Sequence, residues 1–442
     1  MDVMLHCSRT VIHRIRTQGA SLCLAWLLLC VVSPILAAEP LSPSMDLWLT
    51  TGERITGQLL GIKKERLGLR VGDQDRMVPV SSLWQITVAP GTTRPSRPRF
   101  WLHLTNGDRV GASSVTLTEE VLEFHVPGDE QPEQTRKLGV EFIAGVQFLR
   151  PGTSWRIDES EWRLIASQRE KSDLVVLRNG DRLTGEVTEI GTSSIELKGS
   201  QGKQPFEWPA VAGLLLNPDL AGVPLLAKQG WVVLLADDSW LTATEVETGT
   251  EGHLDLLGVQ GMKLSIPWSN IRWMSPWGRG AEPISRLPIA EQKHVPILGE
   301  IMTVTRDRNI RGLPLRHSSG IALPVPNREP NPLPSVSPLG MGLSSGMTVR
   351  WDLHKKYRRL QCGFGLDAIS GPEGHAVLRL IVDDQPPQTL TLRSGDALVQ
   401  ETILDLAGAN SLTIETDFGE NFDASDWINL YAPILVPAEG DE

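Results

Sequence analysis

Four carboxylates and an amide crowd one short stretch near the C-terminus, Asp417-Phe418-Gly419-Glu420-Asn421-Phe422-Asp423-Ala424-Ser425-Asp426-Trp427. Oxygen ligands at that density suit a hard cation, so Asp417, Glu420, Asp423 and Asp426 are the candidate calcium set, although the spacing is not that of an EF-hand. The same loop also suits a sugar, which needs an aromatic face for its C–H surface and planar polar groups for its hydroxyls. Asp367, Asp423, Asp426 and Trp427 are the expected carbohydrate contacts on that reading. Trp351 and Tyr357 are further aromatic candidates. A third reading stays open: a solvated loop whose Asp side chains cap turns. Strand positions likewise suit all three aromatics to a core.

No catalytic residues are expected. A glycosidase needs two carboxylates held across a cleft, whereas Asp237-Asp238 and Asp383-Asp384 are adjacent pairs in turn positions with a conformational explanation. The nine histidines show no zinc spacing. His103 and His125 fall on strands and read as half-buried structural residues. The chain contains neither a Gly-x-Ser-x-Gly elbow nor a phosphate-binding loop.

The elements that must position these residues are mostly β. Leu177–Val187 (LRNGDRLTGEV) reads as two strands joined by a two-residue Asn-Gly turn. The phrase recurs at Leu104–Gly111 and Leu49–Gly57, and in altered form at Leu235–Ala243 (LADDSWLTA). Four related β units follow from this, at residues 46–90, 98–152, 173–217 and 230–277. Their length and turn spacing suit small five-stranded barrels stacked end to end. Residues 154–171, with Trp155, Trp162 and Ile165 among charges, read as a helical linker. A connector at 278–296 leads to a fifth module at 297–436, whose six or seven short strands predict an antiparallel β-sandwich or jelly roll. Within it, His317–Pro338 reads as an exposed proline-rich loop.

A chain of 442 residues exceeds one ordinary core. Residues 1–38 carry the marks of a signal peptide: Arg9, Arg14 and Arg16, then the apolar run Ala20–Val32, then Ala37-Ala38. Cleavage after Ala38 would remove three Arg and one Asp, a net +2, and move the formal charge from −11 to −13. An acidic protein of this kind repels phosphate backbones, so no nucleic-acid partner is expected. No membrane span is expected after cleavage, and the protein should be secreted or lie in the periplasm or cell envelope. Three of the four cysteines leave with the signal. Cys362 alone remains, as a buried small hydrophobe.

The fifth module resembles the NPCBM domains, carbohydrate-binding-type modules with a galactose-binding-like jelly roll that are often attached to exported glycoside hydrolases, including family 98. The residues that carry the resemblance begin with Arg306-Asp307-Arg308 and with Gly340-Met341-Gly342 before Val349-Arg350-Trp351-Asp352-Leu353. They continue with Tyr357, Gly365-Leu366-Asp367 and Val382-Asp383-Asp384, and end with Leu404-Asp405-Leu406-Ala407-Gly408 and Asp423-Ala424-Ser425-Asp426-Trp427. The family usually has a histidine just after its Gly-x-Gly, where this chain has Ser344. The repeats look like Sm-like or Src-homology-like barrels, which are assembly or binding modules. Together these resemblances imply an exported, non-catalytic protein whose partner is a glycan or polysaccharide. The alternatives are an assembly protein that binds other envelope proteins, and an accessory part of a glycoside hydrolase.

Overall fold

The structure, a computed structural model, describes residues 43–89, 97–118, 120–127, 135–168, 171–222, 228–249, 252–297, 300–316, 336–394, 399–420, 422 and 426–438. The signal segment, most of the proline-rich loop and Asp423 lie outside the described residues.

Each repeat begins with the expected hairpin, but its loop has three residues rather than two. In repeat 1 the Leu49 N–H donates to the Glu53 carbonyl and the Gly52 N–H to the Leu49 carbonyl, both at 2.9 Å. The same pair of bonds closes Leu104–Asp108, Leu177–Asp181 and Leu235–Ser239. In each case a single left-handed residue at the third loop position supplies the bulge: Gly52 (φ +89°), Gly107 (+91°), Gly180 (+95°) and Asp238 (+70°). Asn106 and Asn179 do not need positive φ. Their side chains instead accept the N–H of the aspartate two residues on, at 3.1 and 3.0 Å.

Repeat 1 comprises strands Ser44–Leu49, Arg54–Lys63, Arg66–Val71, Gln74–Pro79 and Leu83–Val88. Its first strand pairs with the second and the fifth, and the third lies between the second and fourth. A 3-10 turn precedes the fifth strand in every repeat (Val80–Ser82, Val140–Phe142, Trp208–Ala210, Trp268–Asn270). Among the described residues no pairing joins fourth to fifth strand, so the units are open curled sheets and not closed barrels.

Nor are the units stacked in chain order. The closing strands of repeats 2 and 3 pair with each other (Val146 opposite Leu214), as do those of repeats 1 and 4 (Met274 opposite Ile86). Repeat 2 then meets repeat 4 through Arg109 and Trp240, and repeat 3 through Leu117 and Ile190. The spatial order is therefore 1–4–2–3. One hydrophobic core runs through all four, from Leu47 and Leu67 through Phe124 and Val175 to Trp231 and Met274. A unit of about 50 residues buries too little surface to stand alone, and edge pairing extends its core into its neighbours. The predicted helix is present at Trp155–Ala166. Ile165 is buried, and Trp162 stacks on His103 with centroids 3.6 Å apart.

The C-terminal module is a sandwich of a six-stranded and a five-stranded antiparallel sheet. The first is ordered Thr305–Arg306, Gly340–Ser344, Trp427–Pro437, Tyr357–Leu366, Val399–Asp405, with Glu282–Pro283 pairing onto Leu435 and Ile434. The second is ordered Glu291–His294, Met347–Asp352, Ser411–Phe418, His375–Val382, Gln388–Arg393. The connector expected at 278–296 thus supplies a strand to each sheet, and Ile284 and Leu287 enter the sandwich core. Trp351 and Cys362 are both wholly buried in that core.

The sandwich is not held at a distance from the repeats; it is docked on them. The Trp84 indole N–H donates to the Ala432 carbonyl (3.1 Å), and Arg359 donates to the Thr50 carbonyl (2.9 Å). A mixed apolar cluster joins Trp240, Trp273 and Trp277 to Val336, Leu339 and Ala432. At the centre of the joint, buried Arg316 pairs with Glu159 of the helix (2.6 Å) and with Asp238 of the repeat 4 loop (3.1 Å). Arg109 lies alongside, 3.4 Å from Glu159 and packed against the Trp101 and Trp240 rings. Burial pushes the Arg109 pKa down to about 10. Burial also opposes the charge on Arg316, but Glu159 and Asp238 outweigh it and hold that pKa above its ordinary value. Among the described residues no helix is long and apolar enough to cross a membrane.

Candidate functional site

One end of the sandwich gathers the residues singled out in the sequence. The strands Gly340–Ser344 and Tyr357–Leu366 end there and Trp427–Pro437 begins, with Ser344 opposite Trp427 and Leu366 opposite Ile428. From the other sheet, Ser411–Phe418 ends and His375–Val382 begins at the same edge. Antiparallel pairing forces these loops together although they come from four parts of the chain.

Asp367 is buried and fully engaged. Its Oδ2 accepts from the side-chain amides of Asn429 (2.6 Å) and Asn309 (3.1 Å), and Oδ1 from the Ile369 N–H (2.9 Å). Burial raises its pKa, while those hydrogen bonds pull the other way. The Asn429 amide also reaches the Tyr431 hydroxyl (3.1 Å), which donates to the Arg316 carbonyl (2.9 Å). This chain of bonds ties the loop end to the joint with the repeats. Asp367 therefore uses both carboxylate oxygens to hold the loop.

Asp426 is buried as well, and accepts the His375 backbone N–H at 2.9 Å. Trp427 is partly exposed and packs against the sandwich core, with the Arg311 guanidinium 4.5 Å from its ring centroid. Asp417 pairs with Arg379 at 2.6 Å, and that hydrogen bond holds its pKa below the usual carboxylate value. Glu420 pairs with Arg393 at 2.9 Å, with the same consequence. Asp417, Glu420 and Asp426 thus turn to different partners. Among the described residues no group of three His, Cys, Asp or Glu side chains forms a metal site. Of the donor set expected for calcium, the three described members do not converge, and the fourth, Asp423, lies outside the described residues.

Two residues the sequence reading passed over stand at this end. Phe422 is 67% exposed, on a left-handed turn (φ +60°) bridged to Gly419. Beneath it, His375 Nδ1 accepts the Glu420 N–H at 2.8 Å, so the ring carries its proton on the buried Nε2. A phenyl ring in water amid acidic residues breaks the strand alternation on either side, and that break is the signal that could have marked it. Tyr357 is not part of the site: its hydroxyl donates to Glu282 (2.5 Å) at the opposite end of the sandwich. Asp383 accepts the Asn410 and Ser411 N–H groups, and Asp237 accepts the N–H and the hydroxyl of Ser239, so both have the conformational role expected of them. Asp238 adds to its turn role the ion pair with Arg316.

Exposed aromatic surface beside paired charges, set on rigid strand ends, is chemistry for stacking and hydrogen bonding. Residues 283–434 match the model of the NPCBM/NEW2 domain, so the C-terminal sandwich is an NPCBM-type module. No curated protein matches the chain. Among solved structures it is similar to CBM51 from Clostridium perfringens GH95 in complex with methyl-galactose, at 14% identity and a TM-score of 0.30, over 35% of this chain and 99% of that one. It is similar also to CBM51-2 with INT domains from Clostridium perfringens ZmpB in complex with GlcNAc (12%, 0.31), over 45% of this chain and 42% of that one. A third is the tandem CBM51 modules of the family 98 glycoside hydrolase from Streptococcus pneumoniae (8%, 0.28), over 62% and 90%. The chain spans less than half of the second of these proteins.

Proposed function

We propose that this is an exported, non-catalytic glycan-binding protein, in which four β repeats form a rigid base for an NPCBM-type module. The observation that carries the reading is the match of the module over 283–434, which takes in both sheets and the loop end described above. In the proposed role, Phe422 and the exposed part of Trp427 offer apolar faces to a sugar ring. The Arg311, Arg393 and Glu420 side chains supply hydrogen bonds to its hydroxyls. Asp367, Asp426 and His375 hold the loops in place and bind nothing themselves. Calcium is no part of this reading. Export rests on the signal-like segment at residues 1–38 and places the protein in the periplasm, at the envelope or outside the cell.

Pull-down of the full mature chain on insoluble polysaccharides and on native envelopes tests this directly. Retention that a soluble oligosaccharide releases supports it. Retention on envelopes that no sugar releases would favour a protein partner and overturn it.

A further inference from the structure

A cleft of about 1520 Å³ lies where the repeats meet the sandwich. One wall is the repeat 2 loop Asn106–Asp108 and the closing strand of repeat 4 at Trp277. The other is the segment 278–286, the turn Arg306–Arg308 and the end of the last strand at Val436 and Pro437. Single small molecules occupy pockets of about 300–1,000 Å³, so this space suits a longer ligand.

Its charge runs against that of the chain. Lys228, Arg279, Arg286, Arg306, Arg308 and Arg358 line it, against Asp108, Glu282 and Asp307. Six cations less three carboxylates is +3, or +2 once Glu65, which pairs with Arg279 at 3.3 Å, is counted, in a protein whose formal charge is −11. The three carboxylates are also turned to other work. Asp108 accepts from the N–H and hydroxyl of Thr242, both at 2.8 Å, and from the Asn106 amide. Asp307 accepts the Gly340 N–H at 3.0 Å, and Glu282 the Tyr357 hydroxyl. Burial raises the pKa of both aspartates.

Arg306 and Arg308 retain donors. Each guanidinium has five N–H groups, and Arg306 spends one on the Leu287 carbonyl, Arg308 two on those of Asp307 and Gly107. Arg286 lies over the Trp277 ring at 4.0 Å, which fixes its plane and leaves its edge for a planar anion. Thr50, Ser81, Asn106 and Ser285 add neutral polar groups to the walls. A long polynucleotide would meet the acidic remainder of the molecule. A short chain rich in hydroxyls with spaced carboxylates or sulfates matches both the volume and the lining.

We propose that this cleft binds an acidic oligosaccharide, its carboxylate or sulfate groups held by Arg286, Arg306 and Lys228. The site shares no residue with the loop end of the sandwich and stands or falls apart from it. The test is calorimetric titration of the full mature chain with tetragalacturonate and with a heparin tetrasaccharide, using cellotetraose as the neutral control. At least one anionic probe should bind and cellotetraose should not, with affinity falling steeply between about 50 and 500 mM salt. Arg286→Gln and, separately, Lys228→Glu on the exposed rim should each weaken it at least about tenfold, while Trp427→Ala leaves it unchanged. The Lys228 variant keeps the test decisive if Arg286→Gln lowers the melting temperature. Failure of both anionic probes to bind would overturn the proposal, as would binding that Lys228→Glu does not weaken or that Trp427→Ala abolishes.

Discussion

At the residue scale the decisive contacts are charges taken out of water in pairs. Arg316, Glu159, Asp238 and Arg109 close a buried network between helix, repeats and sandwich. Desolvating such groups costs as much as their attraction returns, so the network adds little net stability over apolar packing, yet losing one member strands the others. Arg316→Ala and Glu159→Gln should each destabilise the protein by about 3–5 kcal/mol. Their double variant should cost clearly less than the sum, because neighbours in one network couple. Urea denaturation of the four proteins in the cycle measures this, and strict additivity would contradict it. Arg316 immediately precedes the proline-rich segment and forms no motif, so nothing in the sequence marked it. Its partners come from 157 and 78 residues away.

At the scale of the element, turns carry the testable detail. Gly180 sits at φ +95° with nothing near its missing side chain. Gly180→Ala should therefore cost only the left-handed backbone term, about 1–2 kcal/mol, read as a shift of the urea midpoint with unchanged slope. The Asp383 turn has a pH signature. The Asn410 N–H, followed by that of Ser411, lowers the Asp383 pKa in the folded protein. A carboxylate depressed in this way stabilises the fold above its unfolded pKa, about 3.9, and that contribution is lost as pH falls through the lower folded value. Asp383→Ala should accordingly destabilise the protein at neutral pH, by no more than about 1 kcal/mol because solvent screens this solvent-accessible carboxylate. The gap between variant and parent should narrow as pH falls below about 4, leaving only the pH-independent cost of alanine at this left-handed position (φ +49°). A gap that widens in acid would refute the assignment. The NGD phrase of repeats 2 and 3, with its variants in repeats 1 and 4, made all four hairpins legible in the sequence. The loop length was not, because Asn-Gly is compatible with either a two-residue or a three-residue turn.

At the scale of the whole molecule, local pattern gave the parts but not their arrangement. Alternating apolar residues located the strands, and a resemblance located the module. The 1–4–2–3 order of the repeats depends on which strand edges meet, which hairpins that look alike do not encode locally. The same limit hid the docking of the sandwich, since Trp84, Arg308 and Arg359 read as ordinary strand and turn residues. It hid the fate of the acidic loop too: Asp417 found Arg379 on the neighbouring strand, Glu420 found Arg393 on the strand beyond it, and Asp426 went inward. Because the sandwich shares apolar clusters and buried ion pairs with the repeats, the two should unfold together. Scanning calorimetry of the mature chain should give one transition, and two well-separated transitions would show the joint to be weak.

The central claim is that the loop end of the sandwich grips a glycan through its exposed aromatics. A glycan array probed with the mature chain and with Phe422→Ala tests it most directly. The account predicts a defined set of bound glycans for the parent and a loss of about tenfold or more in affinity for the variant, equal to about 1.4 kcal/mol, at unchanged melting temperature. An array on which the parent binds no glycan, or binds the same ones as firmly after the phenyl ring is removed, would contradict it.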